Sequence, residues 1–150
     1  MGVSDWQEWR SLRLAALADA PDAFGSGLAD WADADDDRWR ARLRDVPLNV
    51  IADLDGEPVG QVSGLAVDVS GAVELISMWV APNARGLGVG DALIDAVVSR
   101  AVGVGARRVE LDVKETNRVA QRLYERHQFA RVGAGSGADE LRMVKLLAAP

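Results

Sequence analysis

The spacing of apolar and polar residues along the chain predicts four helices and about six strands. Helical periodicity is found over residues 5–19, 35–44, 87–102 and about 117–126. Strand-like apolar runs cover residues 49–53, 58–69, 73–80 and about 108–113, before two final strands around a flexible, glycine-rich tip at 133–137. The first two runs predict a hairpin across residues 55–57. Helices interspersed with strands in this order predict one α/β domain with a mixed sheet over residues 1–150.

Composition narrows the classes of protein that the chain can belong to. A formal net charge of −6 argues against a nucleic-acid partner, which would favour a basic face. The absence of cysteine excludes disulfides and thiol catalysis, and His127 as the single histidine makes us expect no metal site. No apolar run approaches the roughly 20 residues of a membrane span, and no signal-peptide pattern is present. We therefore expect no membrane partner and a cytoplasmic location.

The most informative segment follows the strand that ends at Val80. Residues 85–90 read Arg-Gly-Leu-Gly-Val-Gly, so side chains do not screen the backbone N–H groups from Arg85 onward. A helix that starts here adds unpaired N–H donors and the positive end of its dipole, which suits a phosphate-bearing ligand. The same glycines could instead form a tight strand-to-helix turn. The spacing fits neither a P-loop nor a dinucleotide-binding fingerprint.

A second pattern gives the glycine-rich loop a more specific interpretation. Residues 117–129 read N-R-V-A-Q-R-L-Y-E-R-H-Q-F. With the loop, this segment resembles the GNAT superfamily of N-acetyltransferases, whose motifs are (R/Q)-x-x-G-x-(G/A) and N-x-x-A-x-x-L-Y-x-x-x-G-F. The positions that fit the second motif are Asn117, Ala120, Leu123, Tyr124 and Phe129. The resemblance extends from about Trp6 to Leu146, and two motifs in the family's order are more specific than either alone.

The resemblance implies the fold of an acyl-CoA N-acyltransferase. In that fold four helices surround a strongly twisted mixed sheet of about six to seven strands. Its fourth and fifth strands, here residues 73–80 and 108–113, splay apart so that the pantetheine chain fills the gap. The family usually begins with a strand before the first helix. Residues 1–4 can supply only a vestige, so we expect that edge strand to be missing or vestigial, or the gene start to be truncated.

The resemblance also implies an activity. An acetyl group passes from acetyl-CoA, without a metal, to the primary amine of a small molecule or peptide by direct attack in a ternary complex. A homodimer is compatible with the family. Two alternatives stay open: a non-catalytic acyl-CoA-binding or sensing module, and an acyltransferase that uses another acyl-CoA or a protein amine.

Residues of the coenzyme site are carried over from the family motifs. Backbone amides of the loop are assigned to the pyrophosphate, and they belong to Arg85, Gly86, Leu87, Gly88, Val89 and Gly90. Backbone groups at the end of the preceding strand are assigned to the pantetheine, and they belong to Met78, Trp79 and Val80. The next helix contributes Asn117, Ala120 and Tyr124. Asn117 is also expected to cap that helix.

Three side chains are candidates for the chemistry. Tyr124, the only tyrosine, matches the family's proton donor to the thiolate that leaves, although a phenol packed in the core is the alternative. Glu74 and Asp112 occupy family positions for the base that takes the amine proton. Each could also be a solvated or salt-bridged strand carboxylate. We favour Glu74 acting through water, and strand parity predicts that it shares a face with residues 76, 78 and 80.

Three further features have less specific interpretations. Gln128 replaces the motif glycine, which puts the turn after the helix in doubt because glutamine accepts a left-handed conformation less readily. His127 is expected to be an exposed helix-end residue. The acidic stretch at residues 30–37 is interpreted as charge at a helix N-terminus, with steering of a cationic amine as the alternative.

Overall fold

The computed structural model describes residues 6–19 and 34–147. The helices are α1 (Trp6–Asp19), α2 (Asp36–Asp45), α3 (Val89–Gly103) and α4 (Arg118–Arg126), with a short 3-10 turn at Pro82–Ala84. The strands are β1 (Leu48–Leu54), β2 (Glu57–Gly64), β3 (Ala72–Val80), β4 (Arg108–Lys114), β5 (Ala130–Ala134) and β6 (Glu140–Leu146). The expected vestigial strand at residues 1–4, and the acidic residues 30 and 33, lie outside the described residues.

The six strands form one mixed sheet in the order β1-β2-β3-β4-β6-β5. Only β3 and β4 are parallel, and their pairing is limited to Ala72–Glu74 against Arg108–Glu110. Beyond these three pairs the two strands separate, as the resemblance implied. The predicted mixed α/β sheet with four helices is confirmed over the described residues.

Local chemistry shifts several element boundaries from their predicted positions. Asp55 and Gly56 both have positive φ, 53° and 85°, as a two-residue hairpin turn between β1 and β2 requires. β2 ends at Gly64 instead of residue 69, because the Asp68 carboxylate accepts hydrogen bonds from the Ser70 N–H (2.8 Å) and the Ala72 N–H (3.1 Å). These bonds fold the chain into a turn before β3.

Helices cover both faces of the sheet. On one face, α3 and α4 pack into the main apolar cluster, which includes Val73, Leu93, Val97 and Val109. On the other face, α1 and α2 pack around Trp9, Trp39 and Leu43, and α1 also packs against Trp79 of β3 through Leu12 and Ala16. β3 therefore has helices on both sides.

A bulge interrupts β3 at Ser77 and Met78. The pairing with β2 changes from Ser63↔Ile76 to Gln61↔Trp79, so two residues of β3 lie opposite one residue of β2. Ser77 takes a left-handed φ of 58°. Because of the additional residue, each side chain beyond the bulge lies on the opposite face of the sheet from the one that regular alternation would give it.

The bulge overturns the predicted strand parity. Val73 and Leu75 pack against the main cluster before the bulge, and Met78 and Val80 pack against the same cluster after it. Glu74 therefore lies on the α1–α2 face, and its predicted common face with Met78 and Val80 is wrong. Side chains alternate regularly between the two faces of a sheet only in a strand without a bulge.

Candidate functional site

The loop between β3 and α3 presents a run of free backbone donors. Gly88 caps α3 with a φ of 83°, and Gly86 has a φ of 81°. A Cβ added at either glycine would meet nothing within 4 Å, so both are needed for backbone conformation and not for space. In the described part of the chain, the N–H groups of residues 86–91 have no acceptor. Six free donors at a helix N-terminus are an arrangement that can bind an anion.

Gly90 has a different purpose from the two glycines before it. A Cβ there would lie 3.0 Å from Cδ2 of Leu123 and 3.5 Å from Cε of Met78. Because Gly90 has no Cβ, the start of α3 can approach both α4 and the end of β3. The three segments that the sequence assigned to the coenzyme site therefore lie together. Gly60 of β2 acts similarly beneath Val89, where an added Cβ would come within 3.0 Å of Cγ1. An isolated glycine within a strand pattern was the available signal for Gly60.

Arg85 ties the loop to the end of α1. Its Nη2 donates to Oδ2 of Asp19 at 2.8 Å, and its Nε donates to the Val80 carbonyl at 3.0 Å. Trp79 donates to the same Asp19 oxygen at 3.0 Å, and this hydrogen bond, with that from Arg85, lowers the pKa of Asp19. The Arg85 N–H already contacts the Pro82 carbonyl at 3.5 Å, so the free run begins at Gly86. No local sequence pattern pointed to Asp19.

The start of α4 has the Asn117 cap that the sequence predicted. Asn117 caps the helix by accepting a hydrogen bond from the Ala120 N–H at 3.2 Å. Tyr124 is buried, with its ring centroid 5.8 Å from that of Phe129. Burial raises the pKa of Tyr124, so the phenol keeps its proton at neutral pH. Among the residues described, no acceptor is found for this phenol, which is thus both packed and available as a donor.

Glu74 is the last residue of β3 that pairs with β4. Burial raises the pKa of this carboxyl, the Arg142 charge opposes the shift, and Asp112 and Glu110 add to it. No ion pair joins Glu74 to another described side chain. A carboxylate with a raised pKa where two strands separate suits a general base.

Asp112 is a salt-bridged strand carboxylate. Nη2 of Arg142 donates to its Oδ2 at 3.1 Å, and Nε lies 2.9 Å from its Oδ1. Glu110, which the motifs did not indicate, joins Arg142 to Arg108 with contacts of 2.6 Å and 2.5 Å. Only the clustering of charges on alternate residues of β4 could have indicated this network.

The end of α4 differs from its prediction in one respect. His127 is only 18% exposed, and its Nε2 lies 2.7 Å from Oδ1 of Asp91 in the first turn of α3. The predicted exposed position is wrong because α4 packs its last turn on α3. Gln128 nevertheless adopts a φ of 71°, so the turn survives without the motif glycine.

The described part of the acidic stretch forms the N-terminus of α2. Asp35 caps α2 by accepting a hydrogen bond from the Arg38 N–H at 2.9 Å, and Asp36 and Asp37 lie in the first turn of this helix.

Over residues 6–19 and 34–147, no helix is long and apolar enough to cross a membrane. Within the same ranges, no three histidine or carboxylate side chains are grouped so that they could hold a metal ion.

The described fold has a mixed sheet that opens between two parallel strands, next to a loop of free backbone amides at the start of α3. The model of the acetyltransferase (GNAT) family matches residues 6–129, and the chain belongs to this family.

Solved structures share the fold. A GNAT-family acetyltransferase from Streptococcus pneumoniae is 21% identical with a TM-score of 0.80, over 98% of this chain and 96% of that one. The ribosomal-protein-alanine N-acetyltransferase of Brucella melitensis is 23% identical with a TM-score of 0.72, over 98% and 97%. The PaiA N-acetyltransferase of Thermoplasma acidophilum, in complex with coenzyme A, is 14% identical with a TM-score of 0.79, over 98% and 96%. At these identities the likeness concerns the fold.

Proposed function

We propose that the protein is an acetyl-CoA-dependent N-acetyltransferase that acetylates a primary amine by direct attack in a ternary complex. The observation that carries the proposal is the run of free amides at residues 86–91, beside the gap where β3 and β4 separate. The PaiA relative from Thermoplasma acidophilum is a complex with coenzyme A on the same fold.

The coenzyme would extend from the glycine-rich loop into the gap between β3 and β4, next to the start of α4. Amides of the loop bind the pyrophosphate, supported by the positive end of the α3 dipole. Met78, Trp79 and Val80 follow the last paired residue of β3, so their backbone can meet the pantetheine amides in the gap. Asn117 and Ala120 border the opposite side at the start of α4. The side chain of Arg85 keeps the loop against α1, and its contribution is structural.

The two proposed proton-transfer groups lie on opposite faces of the sheet. Tyr124 belongs to the α3–α4 cluster, whereas Glu74 lies on the α1–α2 face. The amine nitrogen attacks the acetyl carbon, the bond between that carbon and sulfur breaks, and the product amide forms. Glu74 takes the amine proton through water, and the Tyr124 phenol donates a hydrogen bond or proton to the departing sulfur. Asp112 is the second candidate base, with its charge already compensated by Arg142.

A thiol-release screen tests the proposal. Purified protein receives acetyl-CoA and a panel of small amines, amino acids, polyamines, antibiotics and peptides, with succinyl-CoA as a second donor. We expect release of free CoA that depends on one class of amine and on acetyl-CoA. Tight CoA binding without release across the whole panel would instead support the non-catalytic sensing module. Release only with succinyl-CoA would change the donor.

A further inference from the structure

A single guanidinium holds the bulge of β3. Arg42 of α2 donates from Nη2 to the hydroxyl of Ser77 at 3.2 Å and to the hydroxyl of Ser63 at 3.1 Å. Its Nη1 donates to Oδ1 of Asn49 at 2.9 Å, and Ser63 donates to the same oxygen at 2.8 Å. One side chain thus joins α2, β1, β2 and the bulge.

The conformation at Ser77 needs such support. Of the strand residues described, Ser77 is the only one other than glycine with a positive φ. A left-handed conformation is unfavourable for serine and persists where the surroundings determine it. The hydrogen bond from Arg42 supplies that determination at the bulged residue itself.

Arg42 is a half-buried cation among neutral hydrogen-bond partners. All of its hydrogen-bond partners are neutral, and no described carboxylate lies within ion-pair distance of it. The guanidinium also lies 5.3 Å above the Trp9 ring. Burial lowers the pKa of Arg42 to about 10. Among the residues that the structure describes, this half-buried cation has no carboxylate partner, an arrangement that costs stability and favours a role beyond holding two helices on a sheet.

The bulge lies between the two ends of the proposed coenzyme site. It begins three residues after Glu74, where β3 separates from β4, and Met78 within it packs toward Gly90 of the phosphate loop. Its geometry therefore fixes the backbone that meets the pantetheine relative to the amides that meet the pyrophosphate.

From these contacts we infer that Arg42 is a positioning residue, which acts through Ser77 to hold the thioester end of the acyl-CoA in register with its pyrophosphate end. This inference rests on the proposed function. We call the hydrogen bond from Arg42 to Ser77 the clamp. Its removal lets Ser77 relax toward regular strand geometry and moves residues 78–80. The phosphate loop itself keeps its conformation, because Gly86 and Gly88 determine it. Turnover is therefore affected more than coenzyme binding.

A pair of substitutions at Ser77 tests the clamp. Ser77→Ala removes the hydroxyl and keeps the strain, whereas Ser77→Gly removes the hydroxyl and the strain together. We expect kcat to fall about tenfold in Ser77→Ala and to stay within about threefold of wild type in Ser77→Gly. The Kd for CoA, measured by calorimetry, stays within about threefold in both. Equal kcat values in the two variants overturn the inference, since both lose the same hydrogen bond.

Substitutions at Arg42 provide a second test of the inference. Arg42→Met should lower kcat about tenfold, and adding Ser77→Gly in the same chain should restore most of it. Arg40→Met is the matched control on the same helix, because Arg40 is exposed, with an ion pair to Asp37 at 3.2 Å, and should leave kcat unchanged. If Arg42→Met fails to fold, Arg42→Lys and the Ser77 pair decide the question. An Arg42→Met variant that turns over like Arg40→Met overturns the inference.

The proposed function and this inference fail separately. Absence of thiol release by the wild-type protein defeats the function alone. A crystal structure of Arg42→Met then still decides the inference: loss of the positive φ at Ser77 supports the clamp, and its retention overturns the clamp.

Discussion

Alanine at Gly88 perturbs the glycine-rich loop of residues 85–90 without a steric clash. The native φ is 83°, and a Cβ there would meet nothing within 4 Å. The cost is therefore that of a left-handed L-residue, about 1–2 kcal/mol. If the loop keeps its conformation, the free energy of unfolding falls by about that amount. If the loop relaxes instead, the amides turn away from the ligand and the Kd for CoA rises about 5- to 30-fold.

Both quantities are measured on the same variants, by calorimetric titration with CoA and by chemical denaturation. The losses of unfolding and binding free energy in Gly88→Ala should together reach about 1–2 kcal/mol. Gly103→Ala, at the other end of α3, is the control because its added Cβ also meets nothing within 4 Å and its φ is not left-handed. It should stabilise the helix by up to about 1 kcal/mol and leave CoA binding unchanged. If Gly88→Ala changed neither quantity, the assignment of this glycine to loop conformation would be refuted.

Three further substitutions test other parts of the site. Gln128→Gly should raise the free energy of unfolding by about 0.5–1 kcal/mol, since it relieves a φ of 71°. Gln7→Gly, at an exposed position of α1, should lower the free energy of unfolding, and a lower melting temperature for Gln128→Gly would contradict the strain at that residue. Glu74→Gln should slow turnover and abolish the rise of kcat/KM with pH. Since the folded protein holds the Glu74 proton to higher pH than the unfolded chain, the same change should raise the melting temperature at pH 7 and not at low pH; an unchanged pH–rate profile excludes Glu74 as the base. Tyr124→Phe should lower kcat about 100-fold at nearly constant melting temperature, and wild-type turnover would exclude Tyr124 as the donor.

Features that depend on short stretches of chain could be predicted from the sequence. The Asn117 cap contacts a residue three positions away, and the loop glycines act on their own backbone. The glycines therefore predicted the turn into α3, Asn117 predicted the start of α4, and the two motifs predicted the family. The separation of β3 from β4 came from the resemblance and not from any residue pattern.

Features that depend on distant residues could not be predicted. Residues 76–78 of β3 contain neither glycine nor proline and alternate as in a regular strand, yet Arg42, 35 positions away, holds a bulge there. The ion pair between Arg85 and Asp19 spans 66 positions, and the hydrogen-bond contact between His127 and Asp91 spans 36. Such contacts exist only once the helices are packed on the sheet. The three loop glycines also look equivalent in sequence, although Gly90 alone is required by a neighbouring helix.

An amide-resolved NMR titration with CoA tests the central claim most directly. The account predicts that CoA shifts the backbone amide signals of residues 86–91 and of residues 78–80, because the pyrophosphate meets the former and the pantetheine the latter. Amides at the far end of α3, such as that of Gly103, should stay in place. Saturating CoA that leaves the signals of residues 86–91 unchanged, while it shifts signals elsewhere, would contradict the account.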